Sequence, residues 1–498
     1  MPPLRQDLFE RTILNAAAWL VLGVFVTYLI ISNRILLNSL SNIWFDAQRF
    51  GQLLCWSLAF ITATLTHAAL RLKPTAILLA LVMLARAATS PLPGWAITEA
   101  AFYVGMVLAS AWVCVARQSA QITFDRTALL SIVWFGLANC SIPLLIYYRV
   151  ITEHIEVPLN AIFYGFSNHR FFTQVQLLTI PLLALPFMAQ IRSPAFRHMA
   201  MLAALLCWAL TFAAGTRAVY VALLGGAVVA WLWLGLTGRA WVTTQAKLAL
   251  AGWFLFIMLF HALPWLAGIN IPTDNVRLSQ IDSALDSSGR VAMWNEALRL
   301  IWEHPFLGIG PMQYAAIPNR VAGGPHNIPL QFLLEWGIPL GSAMLAIPLI
   351  GLWKLGNLVQ TGGELAPLRT CLFVTLLAAT IDAFFEGIVS VPYSAVLLAC
   401  IIGWAWGNFP EPLAEPRRTI TRLTKITSWI TRSVSMLLGV YLAWFALYPI
   451  ERIRQHNLDY LTISKSALMP RMWAQGLINL EYDNRYPERW FKSISGKQ

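Results

Sequence analysis

The residues of this chain able to do chemistry are ionisable groups standing at the edges of long apolar runs. An unpaired charge in hydrocarbon costs several kcal/mol, so a charge kept at such a place marks either a function or a pairing. Arg217 stands in Ala214-Gly215-Thr216-Arg217, with no acidic residue within thirty positions on either side. Its counter-ion must come from elsewhere in the chain, unless it is a cation snorkelling from a helix end. Arg290 opens an amphipathic stretch, where a cation opposes the helix dipole and adds nothing to helix stability. His326 follows Gly323, Gly324 and Pro325 and precedes an apolar run, with Asn327 beside it. That holds a group titrating near neutral pH at the mouth of the bundle, a place a purely structural loop histidine also fits. Arg170 ends Phe166-Ser167-Asn168-His169-Arg170. Asp382 and Glu386 are four apart, share one helical face, and either counter Arg217 or Arg290 or bind an acceptor. Together these groups offer anion binding, proton transfer and charge balance.

The elements that must position them are membrane helices. Of 498 residues 58% are hydrophobic and only 12% charged, which excludes a soluble enzyme. The net charge of +12 is scattered between apolar runs and forms no dense basic tract, so it signals topology and not nucleic-acid binding. The six cysteines lie in or at the ends of apolar segments without a CxxC pattern or a nearby histidine, and read as packing residues with no metal site. The stretch from Ile13 to Ile31 exceeds a signal-peptide core and is expected to remain as a span.

Apolar windows near 13–32, 51–70, 75–90, 95–115, 127–148, 173–190, 199–215, 217–236, 248–268, 328–353, 368–386, 393–408 and 428–448 predict an all-α integral membrane protein of 12 to 13 transmembrane helices. A cytoplasmic N-terminus puts Arg71/Lys73, Arg117/Arg126, Arg192/Arg197, Arg239, Lys354/Arg369 and Arg417, Arg418, Arg422 and Lys425 on one side, as the positive-inside rule requires. The same register places 149–172, 269–327 and the tail after Pro449 outside, in the periplasm of a bacterial cell. The expected organisation is an N-terminal bundle over 1–268, a long periplasmic loop over 269–327, a C-terminal bundle over 328–448 and a short tail over 449–498. Within the loop, Ser287, Ser288 and Gly289 start a helix over Arg290–Glu303 that Pro305 stops. Val291, Trp294, Leu298 and Ile301 share one face, which predicts a helix lying on the outer membrane surface with Trp294 and Trp302 at the headgroups.

These residues resemble a known family. Gly289-Arg290 through Trp294-Asn295 and Ala297, then His304-Pro305-Phe306-Leu307-Gly308-Ile309-Gly310, then Pro325-His326-Asn327 with Leu330-Gln331, Glu335-Trp336-Gly337 and Gly341, look like the core motif of the O-antigen ligase and polymerase family. Gly215-Thr216-Arg217-Ala218 resembles the Ser/Thr-Arg element that the family carries at the outer end of a span. The resemblance covers residues 215 to 341. It implies transfer of a glycan from an undecaprenyl diphosphate carrier to an acceptor hydroxyl on the periplasmic side of the inner membrane, without metal, nucleotide sugar or other cofactor. Under it, Arg217 and Arg290 clamp the leaving diphosphate, His326 is the general base, and Arg170 extends the clamp. Arg320 extends it too or is a solvated loop cation. Asn327, Asp382 and Glu386 are substrate-binding candidates.

The motif reports the donor half of the reaction. Lipid A core ligases, O-antigen polymerases and protein O-oligosaccharyltransferases share it, and Glu335-Trp336-Gly337 with an external tail leans to the last of these. In the tail, Trp473, Tyr482, Tyr486 and Trp490 offer an aromatic surface over the site, or the tail is an interfacial helix. A transporter or flippase of lipid-linked glycan is the alternative from another class. It predicts inverted repeats and charges at mid-bilayer, whereas no such symmetry is seen and the ionisable residues gather at the outer edge.

Overall fold

The computed structural model describes residues 3–31, 44–65, 74–155, 157, 159–189, 193–269, 290–317, 322–410, 422–447, 471–473, 476 and 478. The chain is an all-helical integral membrane protein, and every regular element among the described residues is a helix. Six helical segments are long and apolar enough to cross a membrane: Pro93–Thr152, His169–Met188, Pro194–Ala214, Gly235–Leu266, Ile328–Gln360 and Trp429–Leu447. Shorter apolar helices include Leu14–Leu29, Thr75–Ala88, Arg217–Trp233 and Pro392–Trp406. Each of the thirteen apolar windows overlaps helix among the described residues, 95–115 and 127–148 sharing Pro93–Thr152. Large apolar side chains such as Leu224, Leu232, Leu236 and Trp265 stand exposed on the helices, the surface that lipid, not water, tolerates.

The elements are α1 (Pro3–Ile31), α2 (Trp44–Leu65), α3 (Pro74–Ala88), α4 (Pro93–Thr152), α5 (His169–Thr179), α6 (Leu185–Met188), α7 (Pro194–Ala214), α8 (Arg217–Trp233), α9 (Gly235–Ile257), α10 (Leu263–Leu266), α11 (Arg290–Glu303), α12 (Ile328–Gln360), α13 (Ala366–Asp382), α14 (Pro392–Trp406) and α15 (Arg422–Leu447). A straight helix of 60 residues would be about 90 Å long, three times a bilayer core. Instead α4 breaks at Gln121, which takes φ 43° and ψ −114°. Gly403 and Gly407 on α14 pack against Ser110 and Arg117 in parallel order, whereas Phe124 meets Trp404 and Phe135 meets Tyr393 in antiparallel order. The two halves therefore run in opposite directions as a hairpin. Its tip is closed by the Arg117–Asp125 ion pair at 3.2 Å, with Trp404 Nε1 donating to Asp125 at 2.7 Å.

The end of the bundle beside α11 is shaped by a second break. α12 is interrupted at Gly337, with φ 78° and ψ 164°, and the freed backbone there pairs with the segment after α11. Ile309 N donates to Leu334 O at 2.9 Å, Gly310 N to Glu335 O at 3.0 Å and Ile338 N to Pro305 O at 2.7 Å. Non-helical backbone at membrane depth is tolerated where protein satisfies it in this way. A Cβ on Gly337 would lie 2.2 Å from Phe306 O, and one on Gly308, at φ 65°, would lie 2.5 Å from Gly337 N. The stretches His304-Pro305-Phe306-Leu307-Gly308 and Glu335-Trp336-Gly337 are thus two faces of one joint. Gly337→Ala is expected to lower stability by roughly 2–5 kcal/mol through left-handed strain and overpacking, seen as loss of folded protein in detergent thermal melts.

The face that the sequence grouped on α11 is divided between protein and surface. Its buried stripe is Met293, Ala297, Leu300 and Ile301, the last three packed with Tyr314 and Leu334, while Val291, Leu298 and Trp302 are exposed. Trp294 turns inward and donates from Nε1 to Pro325 O at 3.0 Å. The docking face is set by Tyr314 and the α12 break, which the helical period of α11 alone does not encode. The helix start at Ser287, Ser288 and Gly289, Arg320, and the aromatics Tyr482, Tyr486 and Trp490 lie outside the described residues. Trp473 is buried and stacks on Phe445 at 5.9 Å, so this part of the tail is packed against the end of α15.

Candidate functional site

Four of the sequence candidates meet at the mouth. Glu386 lies in the turn after α13, its side chain 5% exposed. Arg290, the first residue of α11, places Nη2 2.6 Å from Glu386 Oε1, and Arg170, in the first turn of α5, places Nη1 3.6 Å from the same oxygen. His326 Nδ1 faces the other oxygen, Oε2, at 3.9 Å, beyond a hydrogen bond and close enough for charge attraction once the ring is protonated. The carboxylate is 5% exposed, while Arg290, Arg170 and His326 keep side-chain exposures of 22%, 34% and 35%.

Local structure explains each position. Asn168 caps α5, its side chain accepting from Arg170 N at 2.9 Å, which fixes the first turn of that helix. Asn327 caps α12 by accepting from Leu330 N at 2.9 Å, and its Nδ2 donates to Phe384 O at 3.0 Å. Ile328 N donates to Ala383 O at 2.8 Å. The histidine loop is thereby sewn to the turn that carries Glu386, and both ends of the Asn327 amide engage protein groups. Asn327→Ala is expected to cost about 1 kcal/mol as a lost cap, measurable as a lower melting temperature. His326 itself adopts φ 50°, a left-handed conformation of about 1 kcal/mol cost for a non-glycine residue. Withdrawal of the ring from bulk water lowers its pKa from the ordinary 6.5; Glu386 opposes the shift, and Arg290 and Arg170 add to it.

Arg217 sits at the same end. α8 runs antiparallel to α13: Trp233 packs on Phe373, Gly226 on Val374 and Gly225 against Ile381, so the N-terminal end of α8 lies beside the exit of α13. Arg217 is exposed there and does not pair with Glu386. Asp382 is fully buried one turn before Glu386, pairs with none of the cations, and neither of its oxygens has a hydrogen-bond partner among the described residues. Of the two carboxylates four apart, only Glu386 counters Arg290. Among the described residues, no three His, Cys, Asp or Glu side chains form a group able to hold a metal ion.

Sequence reasoning missed a second charged layer beneath the mouth: Arg49 on α2, Glu99 on α4 and Arg471 in the tail, all buried. The signal was present for Glu99, an ionisable residue inside an apolar window, and absent for Arg471, which lies in an unpatterned polar tail.

Residues 202–346 match the O-antigen ligase family. The match takes in Arg217, Arg290, His326, Asn327 and Glu335, whereas Arg170, Asp382, Glu386 and Arg471 lie outside it. No curated protein matches the chain. The O-antigen ligase match thus covers the α8 entrance, α11 and the histidine loop, and the counter-charge that gathers two of their side chains comes from beyond it.

Proposed function

We propose that the chain is a glycosyltransferase of the O-antigen ligase type. It moves a glycan from undecaprenyl diphosphate to a hydroxyl of the lipid A core, at the periplasmic face of the bacterial inner membrane. The observation that carries this reading is the convergence of Arg290, Arg170 and His326 on one buried carboxylate at the mouth, with two of the three inside the matched family region. Forked guanidiniums bind diphosphate oxygens bidentately, and a lipid diphosphate brings the charge they lack. In the reaction, the acceptor hydroxyl oxygen bonds to the anomeric carbon while the bond from that carbon to the diphosphate oxygen breaks. The hydroxyl proton passes to the free ring nitrogen of His326, and the bonding electrons leave with the diphosphate, which Arg290, Arg217 and Arg170 stabilise. Glu386 stabilises the imidazolium so formed. A single displacement inverts the anomeric centre, and Glu386, the carboxylate that the site holds among the described residues, is engaged by Arg290 and Arg170 instead of serving as a nucleophile.

The neutral imidazole is the active base, so activity is lost as pH falls through the His326 pKa. The acid limb of kcat/KM is therefore expected below pH 6.5. Arg170→Gln removes one of the cations that repel the proton and should move that limb upward. A limb above 6.5 in the unaltered protein, or a downward movement in the variant, contradicts this electrostatics.

The reading is tested in a deletion strain by mass spectrometry of surface lipopolysaccharide, periplasmic glycoproteins and lipid-linked glycan. Lipopolysaccharide without long chains, with lipid-linked polymer accumulating, is the expected result. Single-unit chains would reassign the chain as a polymerase, and unglycosylated protein beside normal lipopolysaccharide as a protein oligosaccharyltransferase. An unchanged set of pools overturns the transferase reading altogether.

A further inference from the structure

The charged layer beneath the mouth is built around Arg471. This tail residue is 4% exposed, with Nη2 2.9 Å from Glu99 Oε1 and 2.5 Å from Glu335 Oε2. Its Nη1 donates to Gly323 O at 3.0 Å, and a Cβ added at Gly324 would meet that same nitrogen at 3.7 Å. Arg471 is itself gripped by its backbone. Arg49 donates from Nη2 to Arg471 O at 3.0 Å and from Nε to Met472 O at 2.7 Å, and it also reaches Ser390 O in the turn after Glu386. On the far side, Glu335 Oε1 accepts from Tyr314 N at 3.1 Å, next to the joint where its carbonyl accepts from Gly310 N. One guanidinium thus ties α4, α12 and the loop Gly323–Asn327 to one another, three residues before His326.

A buried ion pair is weak as simple glue, because apolar residues of the same shape usually stabilise as well or better. What a planar fork with fixed donor directions supplies is geometry. Loops bearing a catalytic group need such support, since a displacement of about 1 Å can cost a hundredfold in rate. His326 stands in a left-handed conformation that only its surroundings hold.

We propose that Arg471, from the C-terminal tail, is a positioning residue for His326: its guanidinium pairs with Glu99 and Glu335 and, through the Gly323 carbonyl, fixes the loop that presents the imidazole. The proposal rests on the reading of His326 as the base.

Arg471→Ala alone strands two buried carboxylates and is expected to unfold for that reason, so the deciding protein is the full-length R471A/E99Q/E335Q variant. Its glutamines carry no charge and keep an acceptor for the Tyr314 amide. Two readouts are taken in detergent: transfer kinetics, and hydrogen exchange of the peptide covering 322–331. The expected result is a melting temperature near that of the unaltered protein, with kcat lowered at least tenfold and loop exchange faster by about tenfold, the worth of one charge-assisted hydrogen bond. Normal kcat with normal exchange would overturn the proposal and leave Arg471 as charge balance only. Should the triple variant not fold, Arg471→Lys decides by the same readouts, because a single ammonium keeps the charge but cannot serve both carboxylates and the Gly323 carbonyl. If the unaltered protein shows no transfer, the reading of His326 falls, while loop exchange still tests the clamp.

Discussion

Alanine in place of His326 lowers the rate of glycan transfer by about 10²–10⁴-fold, the usual contribution of a positioned general base. The fold should survive the change. The ring is 35% exposed, and the loop is held without it by Trp294 on Pro325, by Asn327 on Phe384, and by Ile328 on Ala383. The measurement is transfer from a purified lipid-linked donor, beside the melting temperature of the same preparation. His326→Gly sharpens the test. Glycine adopts φ 50° without strain and leaves space for a free base, so added imidazole should restore part of the lost rate. A His326→Ala protein that melts normally and transfers at full rate would remove the base from this mechanism.

Much of the molecule was readable before any coordinates. All thirteen apolar windows overlap helix among the described residues because hydropathy reports a solvent preference that acts locally, span by span. Arg290, Arg170, His326 and Glu386 were singled out for a related reason: each is an ionisable residue at the end of an apolar run, where keeping it needs a cause. Their partners were less legible. That Glu386 and not Asp382 meets Arg290 depends on how the turn after α13 packs against α11 and α5, and the two carboxylates look alike in a helical pattern. The inward face of α11 is a similar case. Val291, Leu298 and Trp302 are as apolar as the buried stripe, and only the joint between Gly308 and Gly337 decides which side of the helix meets protein. Arg471 was invisible for the strongest reason, since its contacts join the tail to positions 99, 323 and 335 and no local pattern records them.

Arg290→Ala is expected to cost about 10²–10³-fold in kcat/KM, the scale of removing one donor aimed at developing anionic charge. Arg290 holds the shortest contact to Glu386, 2.6 Å against 3.6 Å for Arg170, so its loss also strips a buried carboxylate of its nearest cation. Two further variants separate these effects. Arg290→Lys keeps a charge beside Glu386 but replaces the fork by a point, so stability should hold while kcat/KM still falls by about tenfold. Glu386→Gln acts in the opposite sense on binding. In the unliganded protein Glu386 competes with phosphate oxygens for both guanidiniums, and its neutralisation should lower the KM for the donor. The same change removes the group that stabilises the imidazolium of His326, so kcat should fall with it. Arg299 is the control, for it pairs with Glu296 and Glu303 on the exposed side of α11 and its removal should leave transfer unchanged. A Glu386→Gln protein whose KM rises, or an Arg290→Ala protein within a few-fold of normal, would show that the diphosphate is held elsewhere.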